Sequence, residues 1–142
     1  MSAIRLMFAM RSAFFRESFA RLLQGDASLQ VAVAGGCTFA DEVEGLYDDL
    51  RPDILIMDTK LYRGDSMQVM SALLTRNHGA KIIGVSESYK QDIRDSLLEM
   101  GAHGYLLRND DFKVMKSIIL NVFNGKRMLE QNAPDSSRTH LV

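Results

Sequence analysis

Cysteine is almost missing from this chain, which contains a single residue of that type, Cys37, among 142 residues. One cysteine excludes an internal disulfide and any metal site built from several cysteines, and it is typical of the reducing cytoplasm. No apolar run approaches the roughly 20 residues that a membrane-spanning helix requires, and the N-terminus does not have the layout of a signal peptide. We therefore expect a cytoplasmic protein that makes no membrane contact.

A strong net charge is missing as well. The chain has 17 basic and 18 acidic residues and a formal net charge of −1. This balance gives no electrostatic reason to coat nucleic acid or an anionic membrane. The hydrophobic fraction of 46% and the charged fraction of 25% are ordinary for a folded globular protein and argue against disorder. The length fits one domain with a core of its own.

What the chain does have is an alternation of short apolar runs with amphipathic segments. The runs, each interpreted as a β-strand, are Ile4–Ala9, Leu29–Ala34, Ile54–Met57, Ile82–Val85 and Tyr105–Leu107. The last three are almost continuously apolar, which is typical of strands covered on both faces. After each run, apolar residues recur at helical spacing, as Phe15, Phe19 and Leu22 do. Five such repeats predict an α/β fold with a mostly parallel sheet and helices on both faces.

The segment between the second strand and the second helix contains Gly35 and Gly36. Neither a G-x-G-x-x-G motif nor a P-loop spacing surrounds them, so they favour a tight turn rather than a phosphate-binding loop. Thr38, which follows directly, is positioned to cap the second helix.

Functional groups in an open parallel sheet concentrate at the carboxyl ends of the strands. Met10 and Arg11 follow the first predicted strand, Asp58 the third, Ser86 the fourth and Arg108 the fifth. From its position alone, Asp58 is either a turn residue at a strand end or a functional carboxylate at the mouth of the sheet.

Three stretches resemble the receiver domain of response regulators, and the NarL/FixJ-type subgroup most closely. They are Phe14–Glu17, Arg51–Asp58 and Met100–Arg108, and the similarity extends over about residues 4–128. The resemblance implies a flavodoxin-like, doubly wound, five-stranded parallel sheet in the order 2-1-3-4-5. It also implies a receiver domain over residues 1–128, followed by a polar tail or linker over residues 129–142.

The resemblance assigns roles to individual residues. The phosphoacceptor aspartate of the family falls on Asp58, and the hydroxyl residue that contacts the phosphoryl group falls on Ser86. The aromatic residue whose rotamer reports activation falls on Tyr105, and the essential lysine falls on Arg108, which keeps the charge but not the shape. A loop proline of the family is replaced by Tyr62. No residue is assigned a catalytic role, and the protein is not expected to be an enzyme.

The main departure from the family lies just after the first strand. Met10 and Arg11 stand where the family has two adjacent carboxylates that hold Mg²⁺ together with the phosphoacceptor. Because Mg²⁺ requires hard oxygen ligands, we expect weak or absent Mg²⁺ binding and no other cofactor. Arg11 has two alternative placements. Its guanidinium either takes the place of the cation beside Asp58, with Arg108 on the other side, and lowers the pKa of Asp58, or it points into solvent.

These features favour an atypical receiver in two-component-type signalling, which works through protein contacts without Mg²⁺-dependent phosphorylation. The alternative is a conventional receiver phosphorylated on Asp58 by a histidine kinase. A remote alternative is a small nucleotide- or flavin-binding enzyme, for which the phosphate loop is missing.

The expected partners are proteins. One is a second copy of the chain, bound through the first and last helices or through the fourth helix, fifth strand and fifth helix, and the others are a histidine kinase or another signalling protein. DNA is expected to be bound, and transcription regulated, only through a helix-turn-helix domain absent from this chain. The sequence leaves open the cognate partner, the output and whether the chain is complete.

Overall fold

The computed structural model describes residues 3–129 and shows the predicted α/β fold. Five parallel strands form one sheet in the order β2-β1-β3-β4-β5, which confirms the predicted strand order. The strands are β1 (Ile4–Ala9), β2 (Val31–Cys37), β3 (Ile54–Asp58), β4 (Ile82–Ser86) and β5 (Gly104–Leu107). The helices are α1 (Ala13–Gln24), α2 (Ala40–Leu50), α3 (Ser66–Arg76), α4 (Gln91–Met100) and α5 (Phe112–Phe123).

The sheet has a separate hydrophobic core on each face. Since successive side chains of a strand point to opposite faces, Leu55 and Met57 of β3 enter the core that includes residues of α2, α3 and α4. Ile54 and Ile56 enter the core under α1 and α5. All five residues of β3 are buried, which explains the continuous apolar run in the sequence.

The prediction for the end of β2 was wrong. Gly35 and Gly36 do not form a turn, because they belong to β2 and pair with Met7 and Phe8 of β1. Their lack of a side chain is needed there: a Cβ atom on Gly35 would lie 2.8 Å from a methyl group of Leu50.

The predicted cap of α2 was also misplaced. The helix is capped at Phe39, whose backbone N–H donates to the Glu42 carboxylate at 3.2 Å. The hydroxyl of Thr38 instead accepts a hydrogen bond from Arg16 at 3.5 Å.

The other helix ends follow local chemistry. The side chains of Ser12, Asp65 and Asp111 cap α1, α3 and α5 by accepting a backbone N–H, as N-cap residues commonly do. Gly101 ends α4 in the left-handed conformation, with φ of 97°, which glycine adopts without strain.

The chain continues beyond α5 into a buried contact. The Met128 N–H donates to the His103 carbonyl at 2.6 Å, and Leu129 is only 1% exposed. The rest of the predicted tail, residues 130–142, lies outside the described residues. Within residues 3–129 no helix has the length and apolar character needed to cross a membrane.

Candidate functional site

Asp58 is a buried carboxylate at the carboxyl edge of the sheet. It is the last residue of β3, and it is 2% exposed. Its Oδ2 atom accepts a hydrogen bond from the backbone N–H of Arg11 at 2.7 Å and another from Nη2 of Arg108 at 3.0 Å. The carboxylate is therefore held from β1 on one side and from β5 on the other.

Burial raises the pKa of Asp58 above its ordinary value, because removal from water disfavours the ionised form. The Arg11 N–H and the Arg108 guanidinium act in the opposite direction without offsetting this effect. The lowered pKa that was expected if the Arg11 guanidinium took the place of the cation is not seen, since the cost of desolvation is greater than the stabilisation by the two arginines.

Arg11 does not adopt the predicted placement in which its guanidinium pairs with Asp58. Its backbone, not its guanidinium, makes the hydrogen bond to Asp58. The guanidinium lies over the ring of Tyr62, 5.0 Å from the ring centroid, in a cation–π arrangement. The cation that forms an ion pair with Asp58 is Arg108, whose guanidinium also lies 5.7 Å from the ring centroid of Phe15.

Met10 is fully buried and belongs to the core under α1 and α5, together with Phe8 and Phe19. This thioether is part of the packing and offers no hard oxygen ligand at the end of β1. In the part of the chain that the structure describes, no three His, Cys, Asp or Glu side chains lie together in a way that would hold a metal ion. Because Mg²⁺ takes carboxylate, carbonyl and water oxygens, the residues around Asp58 do not fit the Mg²⁺ site that the family implies.

Ser86 and Tyr105 contact one another next to this site. The Tyr105 ring is fully buried, and its hydroxyl lies 2.6 Å from the Ser86 Oγ. The Ser86 hydroxyl also donates to the Ser88 carbonyl at 2.8 Å, and the Tyr105 oxygen accepts the Lys90 N–H at 3.2 Å. The sequence left both rotamers of Tyr105 open, and the structure has the inward one, which joins β5 to the loop after β4.

A cavity of about 100 Å³ opens beside Asp58. Its charged lining residues come from the ends of four strands and the loops that follow them: Arg11, Asp58, Lys60, Glu87, Lys90 and Arg108. Sequence reasoning missed Lys60 and Lys90. The strand-edge rule that selected Asp58 extends to Lys60, two residues later, whereas no local signal marked Lys90 as part of the same cavity.

The family model for the response regulator receiver domain matches residues 12–120 of this chain. The match begins directly after Met10 and Arg11.

Curated relatives have low sequence identity and are longer than this chain. Response regulator GacA of Pseudomonas aeruginosa is 25% identical over 114 residues, which are 80% of this chain and 52% of that protein. Oxygen regulatory protein NreC of Staphylococcus epidermidis is 24% identical over 142 residues, with coverage of 98% and 63%. The chain therefore spans between about half and two thirds of these relatives.

Solved structures share the fold. A two-component response regulator of the LuxR family from Aurantimonas has a TM-score of 0.84 and 22% identity, with 99% of this chain and 100% of that chain covered. The signal receiver domain of NarL from Mycobacterium tuberculosis has a TM-score of 0.80 and 21% identity, with coverage of 89% and 100%.

Proposed function

The chain belongs to the response regulator receiver family, and from this premise we propose that it is an atypical receiver of two-component signalling. In this proposal it acts through protein contacts, and Asp58 is not phosphorylated in the Mg²⁺-dependent way. Receiver domains of response regulators are signalling modules, so no enzymatic activity is proposed.

The observation that carries the proposal is the burial of Met10 in the core. Phosphoryl transfer creates negative charge on the transferred group, and a divalent cation normally neutralises it. A fully buried thioether and a guanidinium that stacks on Tyr62 give Asp58 no partner carboxylate at the end of β1. One carboxylate in a basic surrounding is a poor ligand set for Mg²⁺.

The hydrogen bonds of Asp58 give a second reason. A nucleophilic carboxylate needs an oxygen that is ionised and accessible, whereas Asp58 is 2% exposed and its Oδ2 already accepts two donors. Burial also raises its pKa and so disfavours the ionised form. The hydrogen bonds from Arg11 and Arg108 support a structural role for Asp58 rather than that of an attacking group.

The contact between Ser86 and Tyr105 supports a state that is set without phosphate. The Tyr105 ring is buried and its hydroxyl is satisfied by Ser86 and by the backbone of Lys90. The contacts of Tyr105 therefore join β5 to the segment before α4, and the surface around α4 and β5 is the one that we propose for a signalling partner.

The experiment is incubation with Mg²⁺ and a small phosphodonor such as acetyl phosphate, followed by intact-mass measurement. We expect no added phosphoryl group. An adduct of one phosphoryl group that disappears in Asp58→Asn would overturn the proposal and favour a conventional receiver that takes phosphate from a histidine kinase. A second copy of the chain and a signalling protein are the proposed partners, and any DNA output is assigned to a helix-turn-helix domain outside this chain.

A further inference from the structure

The residues that follow α5 form a short extended segment at the outer edge of β5. Met128 lies beside Gly104 in a parallel bridge, and its N–H donates to the His103 carbonyl at 2.6 Å. The Met128 side chain enters the core under α1 and α5, whereas Leu129 enters the core that includes residues of α2, α3 and α4. Side chains that alternate between the two faces of a sheet are typical of a strand, so this segment adds the start of a sixth strand.

Arg127 ties this segment to the end of α4. Its Nε and Nη2 atoms donate to the Ala102 carbonyl at 3.0 and 2.7 Å, and Nη2 also donates to the Leu98 carbonyl at 2.9 Å. A cation is favoured at this end of a helix, because the last carbonyl groups carry partial negative charge. We call the contact of residues 127–129 with α4 and β5 the β5 clasp.

His103 belongs to the β5 clasp through its carbonyl, and its ring contains a nitrogen without a partner. The Nδ1 atom is buried, and no described residue forms a hydrogen bond with it. Burial lowers the pKa of the imidazole, and the positive charges of Arg127 and Lys81 lower it further. The ring is therefore neutral at pH 7, and Lys81 is held in place by its bond to the Phe123 carbonyl at 2.9 Å.

The charged groups around the clasp offer no anionic partner to a protonated ring. Lys81 precedes β4, Lys126 and Arg127 follow α5, and Glu99 is the last charged residue of α4. Lys126 and Glu99 are exposed, and neither is among the charges that act on His103. In the described part of the chain, a proton on the imidazole therefore meets two cations and no carboxylate.

We propose that the β5 clasp is a pH-sensitive switch, in which protonation of His103 displaces Arg127 and releases residues 127–129 from β5. A proton on the ring adds a third positive charge to those of Arg127 and Lys81, and like charges at short range repel one another. Arg127 is exposed, so its guanidinium can exchange the two carbonyl groups for water. The clasp lies at the amino end of β5, on the sheet edge opposite Asp58, and works independently of phosphorylation.

The direction of the pH dependence follows from the two states of the clasp. The closed clasp is fully stable above the ordinary histidine pKa of 6.5, and it weakens as the pH falls from that value through the lowered pKa of the closed state. The ratio of open to closed clasp rises about tenfold for each pH unit that separates these two pKa values. Below the lowered pKa the ratio is constant, because His103 is then charged in both states.

The test is amide hydrogen exchange of the full chain, followed by nuclear magnetic resonance at about pH 7.5 and about pH 5.5. After correction for the intrinsic pH dependence of exchange, we expect the protection of the Met128 amide to fall several-fold at the lower pH. Amides of β3, which lies in the middle of the sheet, should keep their protection, because the clasp opens locally.

Histidine variants separate this switch from a general effect of acid. His103→Gln cannot be charged and should remove the pH response of the Met128 amide. His78→Gln, at an exposed histidine between α3 and β4, is the matched control and should retain it. Lys81→Met keeps the imidazole and removes one cation, so the pKa of His103 moves closer to 6.5 and the response should become smaller.

Three results would overturn the proposal. They are equal protection of the Met128 amide at both pH values, a response that persists in His103→Gln, and an equal loss of protection in β3, which would indicate global unfolding. Circular dichroism at both pH values establishes that each variant is folded. If His103→Gln does not fold, Lys81→Met decides, and an undiminished response in that variant contradicts the proposal.

Discussion

Asp58 connects the pH of the solution to the stability of the fold. Because its pKa is raised in the folded state, the folded protein binds a proton more readily than the unfolded chain. The free energy of unfolding therefore decreases as the pH rises from the ordinary pKa of 3.8 through the raised pKa of the folded state. The decrease amounts to about 1.4 kcal/mol for every pH unit that separates these two pKa values.

We expect Asp58→Asn to be more stable than the original protein at neutral pH, since it buries no ionised group. This difference should disappear below the ordinary pKa, where both side chains are neutral. Urea unfolding of both proteins at a series of pH values measures the difference. A difference that does not change with pH would show that the carboxyl does not titrate with a raised pKa.

Arg108 is the charged partner on which the ionised form of Asp58 depends. Arg108→Ala should lower the free energy of unfolding at pH 7 by about 1–3 kcal/mol, because a buried acceptor loses a charged donor. The side chain of Arg108 is 25% exposed, so solvent screening places the expected loss below that of a fully buried pair.

The same variant should raise the pKa of Asp58 further, as followed by nuclear magnetic resonance of the carboxyl carbon. Arg108→Lys retains the charge and is the control that separates charge from shape. Stability equal to the original protein in Arg108→Ala would mean that the ion pair makes no net contribution.

The positions of these residues could be predicted from the sequence, but their side-chain directions could not. The carboxyl ends of parallel strands meet at one edge, so Asp58, Ser86 and Arg108 were expected there. The orientation of Arg11 depends on competition between a carboxylate and an exposed aromatic ring, Tyr62, that lies 51 positions later in the chain. No local pattern encodes the outcome of that competition.

Among the elements, α4 contacts the sheet through one fully buried side chain. Leu97 is the buried residue of this helix, and it lies directly over Gly84 of β4. A Cβ atom on Gly84 would lie 2.8 Å and 3.0 Å from the two terminal methyl groups of Leu97. The glycine is therefore required by packing, because its backbone conformation is open to any residue.

A double-mutant cycle at this contact tests how α4 is held. Leu97→Ala should cost about 2–5 kcal/mol, as expected for a buried leucine, and Gly84→Ala should destabilise the original protein by steric overlap. In the Leu97→Ala background, Gly84→Ala should cost less or become favourable, since its methyl group enters the vacated space. Strictly additive values from urea unfolding would contradict this account.

The elements were easier to predict than their ends. The predicted strand β3 and helix α1 match the structure. Both predictions depend on which residues are buried, and the order of apolar and polar residues in the sequence indicates this directly. The end of β2 was missed, since glycine is a residue type common in turns, whereas Gly35 and Gly36 pair with β1 and lie close to the distant residues Leu50 and Arg16.

The whole molecule exposes two large apolar side chains on one helix. Phe14 is 81% exposed and Leu22 is 57% exposed, both on α1, and positions eight apart share one face of a helix. This exposure favours α1 among the two predicted dimer surfaces. We therefore expect concentration-dependent self-association through that face.

Light scattering over a concentration series measures the association. Phe14→Ser combined with Leu22→Ser should weaken it at least about tenfold, because apolar area would no longer be buried at the interface. Leu98→Ser, on the partly buried surface of α4, is the comparison variant. A larger effect of Leu98→Ser would assign the interface to α4, and a monomer at high concentration would contradict both surfaces.

The burial of Met10 makes the change at the end of β1 difficult to reverse in single steps. A carboxylate placed at residue 10 would enter a core of apolar side chains, at a cost of several kcal/mol, before any metal ligand set is complete. A carboxylate at residue 11 alone would leave the metal-ligand set without its second carboxylate. Installing a carboxylate pair at residues 10 and 11 therefore requires compensating changes in the core around Met10.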